Sequence, residues 1–201
     1  MKKKALIIGG IVLLVLILSP KAVDVVSANT DSEYNKFKGY CDFLIDELEG
    51  TAYENVKNDK GGETKFGIDK KSHPNEDIKN LTRERAVQIY FESYWEAANI
   101  NVLPVKIQLQ HFCGVVNNGI SGHNKILQRA CGVYADGLVG VFTLTAAQFV
   151  TPEKIRQYEL QHYDDIINND DTQEGFREGW VNRVNKVYKK QTEINIQTAL
   201  V

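Results

Sequence analysis

Three residues in one stretch have the types and the spacing for acid–base chemistry. Between Leu48 and Ile68 the chain reads LEGTAYENVKNDKGGETKFGI. Glu49 ends an apolar, helix-like run, Asp59 lies in the polar loop that follows, and Thr64 comes just after Gly61-Gly62. A carboxyl at a helix C-terminus meets the negative end of the helix dipole, which disfavours its ionised form. Such a group can keep a proton and hand it to a leaving oxygen, while a second carboxylate and a hydroxyl hold the attacking water. Cleavage of a glycosidic bond asks for this division of labour. On residue types alone, Glu54 and Glu63 compete with Asp59 for the second role. A glutamate beside a glycine is also commonly just a solvated side chain.

The elements that must position these groups follow from periodicity. Phe37, Tyr40, Cys41, Leu44, Ile45 and Leu48 recur at three- and four-residue steps and predict a helix that stops at Glu49-Gly50. Weak alternation around Gly61-Gly62 predicts a short β-hairpin or ordered loop over Tyr53–Ile68. Thr82 caps a helix with Ala86, Ile89, Tyr90 and Tyr94 on its apolar face. Lys106–Asn118 reads as a buried helix ended by Asn118-Gly119. The run HNKILQRACGVYADGLVGVFTLTAA gives a short helix, a turn at Asp136-Gly137 and a second helix. Pro152 opens a helix to about Ile167, and the last helix spans Gln173 to Lys190. The expected body is mainly α with one small β element that carries the reactive candidates.

Composition narrows the partners. With 201 residues, 43% of them hydrophobic, the chain can bury a core as one domain or two small ones. Its net charge of -2 excludes the basic field that nucleic-acid binders carry. Cys41, Cys113 and Cys131 form no disulfide framework, and His73, His111, His123 and His162 show no ligand spacing, so neither metal nor cofactor is expected. Met1–Lys4 is basic and Ala5–Leu18 is apolar, a run shorter than the roughly 20 residues of a spanning helix. It suits a signal peptide ending near Val26-Ser27-Ala28 or a retained signal anchor, and either way export of the body is expected. Asn29–Tyr34 reads as a linker.

The order LEG…NDKGGETKFGI, IYFESYWEAANINVLP and VVNNGI resembles the N-acetylmuramidases of glycoside hydrolase family 108. LQRACGVYADGLVGVFTL and FREGWVNRV resemble the peptidoglycan-binding-like module that follows in that family. The resemblance covers about residues 37 to 190. Thr51 stands where the family has a second glycine, Cys113 where relatives often have an acidic residue, and one extra residue separates Glu49 from Asp59.

The resemblance implies a lysozyme-like α+β fold and hydrolysis of the β-1,4 bond between N-acetylmuramic acid and N-acetylglucosamine. Glu49 is then the general acid, with Asp59 and Thr64 positioning water. Gly62, Tyr94, Trp95 and Asn117 are the substrate-binding candidates, the two aromatics by stacking on sugar faces, against the commoner core role for such a helix, and Asn117 by bonding an N-acetyl group, against a plain turn residue before Gly119. Arg177, Trp180 and Arg183 read as a structural lid. The implied layout is a signal peptide or anchor over 1–28, a linker over 29–36, a catalytic domain over 37–121, a helical module over 122–190 and a tail over 191–201. The implied partners are peptidoglycan glycan strands and, if the leader is uncleaved, the inner membrane, for a monomer on the cell-wall side. Lytic transglycosylation and wall binding without catalysis are the rival functions, and a phage endolysin and a housekeeping muramidase the rival settings.

Overall fold

The computed structural model describes residues 4–8, 11–15, 20–55 and 61–200, with side chains from Asp31 onward. It divides into two units, Met1–Lys36 and Phe37–Val201. In the first, strand β1 (Lys4–Ile8) pairs antiparallel with β2 (Ile11–Val15), Lys4 opposite Val15, and helix α1 (Pro20–Leu44) begins. Among the described residues no helix is long and apolar enough to cross a membrane, so the anchor reading of residues 1–28 finds no support there. The expected linker is helical: Asn29–Tyr34 lies inside α1.

The second unit holds the chemistry. From Phe37 onward α1 buries the expected stripe of Phe37, Tyr40, Cys41 and Leu44. At Ile45 the helix widens into a π turn, Ile45–Glu49, closed by the Gly50 N–H donating to the Ile45 carbonyl at 2.8 Å. Gly50 then turns the chain at φ 81°, a left-handed value that glycine adopts without a Cβ clash. A three-stranded antiparallel sheet follows, β3 (Tyr53–Glu54), β4 (Thr64–Lys65) and β5 (Ile68–Asp69). Tyr53 pairs with Lys65 and Lys65 with Ile68, while Glu54 pairs with Thr64 and Thr64 with Asp69. Directly paired residues share a sheet face. Ile68 is fully buried, so its face meets the core and the Glu54–Thr64–Asp69 face turns away from it.

Thr82 caps α2 (Arg83–Tyr90) as expected, its hydroxyl accepting from the Arg85 N–H. The helix runs on into a second π turn, Phe91–Glu96. Trp95 from this turn packs on Phe37, Tyr40 and Phe112 at ring distances of 5.4, 5.9 and 5.8 Å. Behind them α3 (Val105–Asn118) packs against both α4 (Ile120–Cys131) and α7 (Arg177–Ala199). Between these lie α5 (Val141–Ala147) and α6 (Pro152–Asn169), the latter capped by Thr151. Of the expected tail over 191–201, residues 191–199 are instead the end of α7. Its Gln191 is fully buried, the amide oxygen accepting from the Leu109 N–H at 2.9 Å. All three cysteines are free thiols.

Candidate active site

Glu49 leaves the π turn between the sheet and the last helix. The sheet reaches it at Gly67, in the Phe66-Gly67-Ile68 motif. A Cβ on Gly67 would lie 2.7 Å from Glu49 Cγ and 2.5 Å from the Tyr90 hydroxyl, so only glycine lets the two segments touch. Phe66 adopts φ 54°, a conformation sparsely used outside glycine, and its carbonyl accepts from the Tyr90 hydroxyl at 3.0 Å. Ile68 then anchors the motif in the core.

From the other side comes α7. Arg183 Nη2 donates to Glu49 Oε1 at 2.6 Å, across 134 residues of chain. The two side chains are 16% and 20% exposed. Among the described residues Glu49 Oε2 has no hydrogen-bond partner. One turn along, Lys186 Nζ holds both the Glu47 carbonyl and Glu47 Oε2 at 2.8 Å, so α7 clamps the π turn twice. Burial works against the charge of Arg183, but the Glu49 carboxylate outweighs it and keeps the guanidinium more firmly protonated than usual. Burial first, and the Glu49 charge after it, pushes the Tyr90 hydroxyl up. Burial likewise raises the Cys113 thiol. Both groups are neutral at ordinary pH. A small recess of about 10 Å³, roughly one water in size, lies beside Arg183 against Cys113, Asn117, Glu159 and Tyr163.

The comparisons with known proteins fit this geometry. The family model described as Glycosyl hydrolase 108 matches residues 44–119, and the one described as Predicted Peptidoglycan domain matches residues 123–185. Residues 44–119 are a glycosyl hydrolase 108 domain. The protein is a glycoside hydrolase with peptidoglycan as its substrate. The solved structure of Brucella abortus SagA shares its fold, at 24% identity and a TM-score of 0.67 over 79% of this chain and 95% of that one. No curated protein matches the chain significantly. The mainly α, lysozyme-like α+β class expected from sequence is the one observed.

In this glycosyl hydrolase the sequence candidates fare unequally. Thr64 sits half-buried on β4, between Glu54 and Asp69 on the outward sheet face. Asp59 lies outside the described residues. Glu54 is exposed on β3, and Glu63 lies near the Tyr53 hydroxyl, which burial and this carboxylate push up. Gly62 takes φ 77° at the turn before β4. Tyr94 is half-buried against Tyr90 and His73, its hydroxyl pushed up by burial and by the charges of Asp69 and Glu49. Trp95 requires a correction. It is fully buried among aromatic rings and offers no face to a sugar. Asn117 is exposed, but its amide already donates to the Tyr163 hydroxyl at 2.6 Å. Among the described residues no cluster of three His, Cys, Asp or Glu is placed to hold a metal.

Sequence reasoning missed two things. Arg183 is part of the site rather than a lid, and residue spacing gives no signal for a contact so distant. The second is a buried polar chain behind the recess. The Asn124 amide donates to the Gly137 carbonyl at 3.0 Å, which turns its oxygen toward His111 Nε2 at 3.1 Å. His111 therefore carries its proton on Nε2, and burial holds the ring well below the ordinary histidine range. His123 Nδ1 donates to His111 Nδ1 at 3.0 Å, and His123 Nε2 meets Glu159 Oε1 at 3.0 Å. Gln110 donates to the other Glu159 oxygen at 2.8 Å. Gly114 makes room for the chain, since any Cβ there would overlap the His123 ring.

Proposed function

We propose that this enzyme cleaves the β-1,4 bond between N-acetylmuramic acid and N-acetylglucosamine by hydrolysis, as an endolysin-type muramidase. Glu49 is the general acid. The observation that carries the reading is the Glu49 carboxyl itself, partly exposed at the end of a π turn, held through one oxygen with the other unbonded among the described residues. That second oxygen is where a donated proton would sit. Thr64 and Asp59 position the attacking water on the opposite sugar face. Asp69 is a further candidate for the second carboxylate, since it flanks Thr64 on the outward sheet face. Tyr94 and Asn117 border the glycan, and the enzyme acts outside the cytoplasm, where peptidoglycan lies.

Purified Glu49→Gln protein tests the acid. It should lose more than 99% of the clearing activity on cell-wall suspensions, a loss on the order of 100-fold or more for removal of a general acid. Wild-type clearing by this variant would refute the assignment. Product analysis tests the reaction type, since hydrolysis leaves reducing-end N-acetylmuramic acid and transglycosylation leaves its 1,6-anhydro form. Asp59→Asn and Asp69→Asn, assayed side by side, identify the second carboxylate.

A further inference from the structure

A general acid changes charge as it works. The proton moves from Glu49 to the glycosidic oxygen, the C1–O bond breaks with its electron pair going to that oxygen, and Glu49 becomes a carboxylate. A fixed positive group beside the carboxyl stabilises that new charge in the transition state more than in the ground state. The 2.6 Å contact to Oε1 is compatible with both protonation states. In the acid the proton occupies Oε2 and Oε1 is a carbonyl oxygen, still an acceptor. After transfer, Oε1 shares the new charge and the same bond strengthens.

We propose that Arg183 is the positioning residue of the glycosidase reaction: lent by the peptidoglycan-domain segment, it selects Oε2 as the proton-donating oxygen and compensates the charge left on Glu49. The proposal rests on the reading of Glu49 as the acid. Its support is geometric. Arg183 is only 16% exposed, and Val184 and Val187 beside it are buried and fix α7 in place. The other groups that face Glu49 are Tyr90 and Tyr94 from α2 and its π turn, Cys113 from α3 and Gly67 from the sheet. None of these is charged at neutral pH, so among the described residues the compensating charge at this carboxyl falls to Arg183. Asp69, the other charge felt by Tyr94, is of the wrong sign for that task.

The arrangement carries a cost that makes it testable. A positive charge beside a carboxyl favours the ionised form whether or not substrate is bound. Removing Arg183 should therefore lower the plateau rate while extending activity to higher pH. A purely structural arginine has no reason to produce that pair of opposite effects.

The experiment follows kcat, KM and the pH profile of the full chain on soluble, uncrosslinked glycan strands. Arg183→Gln should lower plateau kcat about 100-fold, as for removal of one preorganised donor, with KM changed by less than about threefold. Its alkaline limb should move to higher pH. Arg183→Lys should return the limb to the wild-type position and recover part of the rate, because it restores the charge without the fork. Arg177→Gln removes the ion pairs to Glu174 and Asp164 at the start of the same helix and should leave both readouts unchanged. Should the Arg183 glutamine variant unfold, Arg183→Met, which keeps apolar bulk, is read in the same two ways. Wild-type kcat and limb in Arg183→Gln, or the same changes in Arg177→Gln, would overturn the proposal. Activity in Glu49→Gln is a separate outcome that overturns the assignment of the acid beneath it.

Discussion

Replacing Gly67 by alanine tests how closely the sheet must approach the acid. Two costs add. The residue sits at φ 76°, where an L side chain costs about 1–2 kcal/mol. The new Cβ would also stand 2.5 Å from the Tyr90 hydroxyl and 2.7 Å from Glu49 Cγ, against an ordinary contact of 3.4 Å or more. Relieving such overlap in a packed region costs about 1–3 kcal/mol, for a total of about 2–5 kcal/mol. In a domain of this size that lowers Tm by roughly 5–15 °C. Glu49 must yield by several tenths of an ångström, and misplacement on the order of 1 Å costs about 100-fold in rate. Gly132 supplies the control, with φ 71° and nothing within 4 Å of an added methyl, so Gly132→Ala bears the backbone strain alone. Thermal melts and clearing assays on both variants decide the matter. Equal losses of Tm, with wild-type activity in Gly67→Ala, would refute the close-approach argument.

Further predictions concern the core and the buried polar chain. Trp95→Ala should cost about 3–5 kcal/mol in a urea melt and leave the KM of any folded fraction unchanged, because the ring touches protein on all sides. Glu159→Leu should destabilise the chain by about 3–5 kcal/mol, since it strands the remaining buried partners. In the unfolded chain His111 binds a proton near the ordinary histidine value of 6.5, a proton that the folded chain refuses. The stability from His111 is therefore complete above that pH and lost as pH falls below it, and urea midpoints should drop between about pH 7.5 and 5.5. Cys41 is buried and its thiol pushed up to about 12, so iodoacetamide at about pH 8 should leave it unmodified until the chain unfolds.

Local signals are legible in the sequence because local physics sets them. The Phe37–Leu48 stripe, the Thr82 cap and the Pro152 start each depend on residues within one or two turns. Glu49 is recognisable for the same reason, as a carboxyl at a helix stop. The π turn over Phe91–Glu96 is not, and it explains why Trp95 departs from expectation. One extra residue per turn shifts the helical phase by about 100°, enough to carry the indole from an expected groove wall into the core. Arg183 and the His111–His123–Glu159 chain depend on contacts 12 to 134 residues apart, which no spacing rule reaches.

The placement of α3 bears on how such enzymes can be rearranged. One side of this helix adds Phe112 to the aromatic core, and the other hands Gln110 and His111 to partners on α4 and α6, while Gln191 of α7 bonds its backbone. A cut after Asn118 would leave those polar groups without partners and take Arg183 away from Glu49. A peptidoglycan domain from another enzyme therefore cannot simply be spliced in for residues 123–185. The piece to engineer as one is the whole body from Phe37 onward.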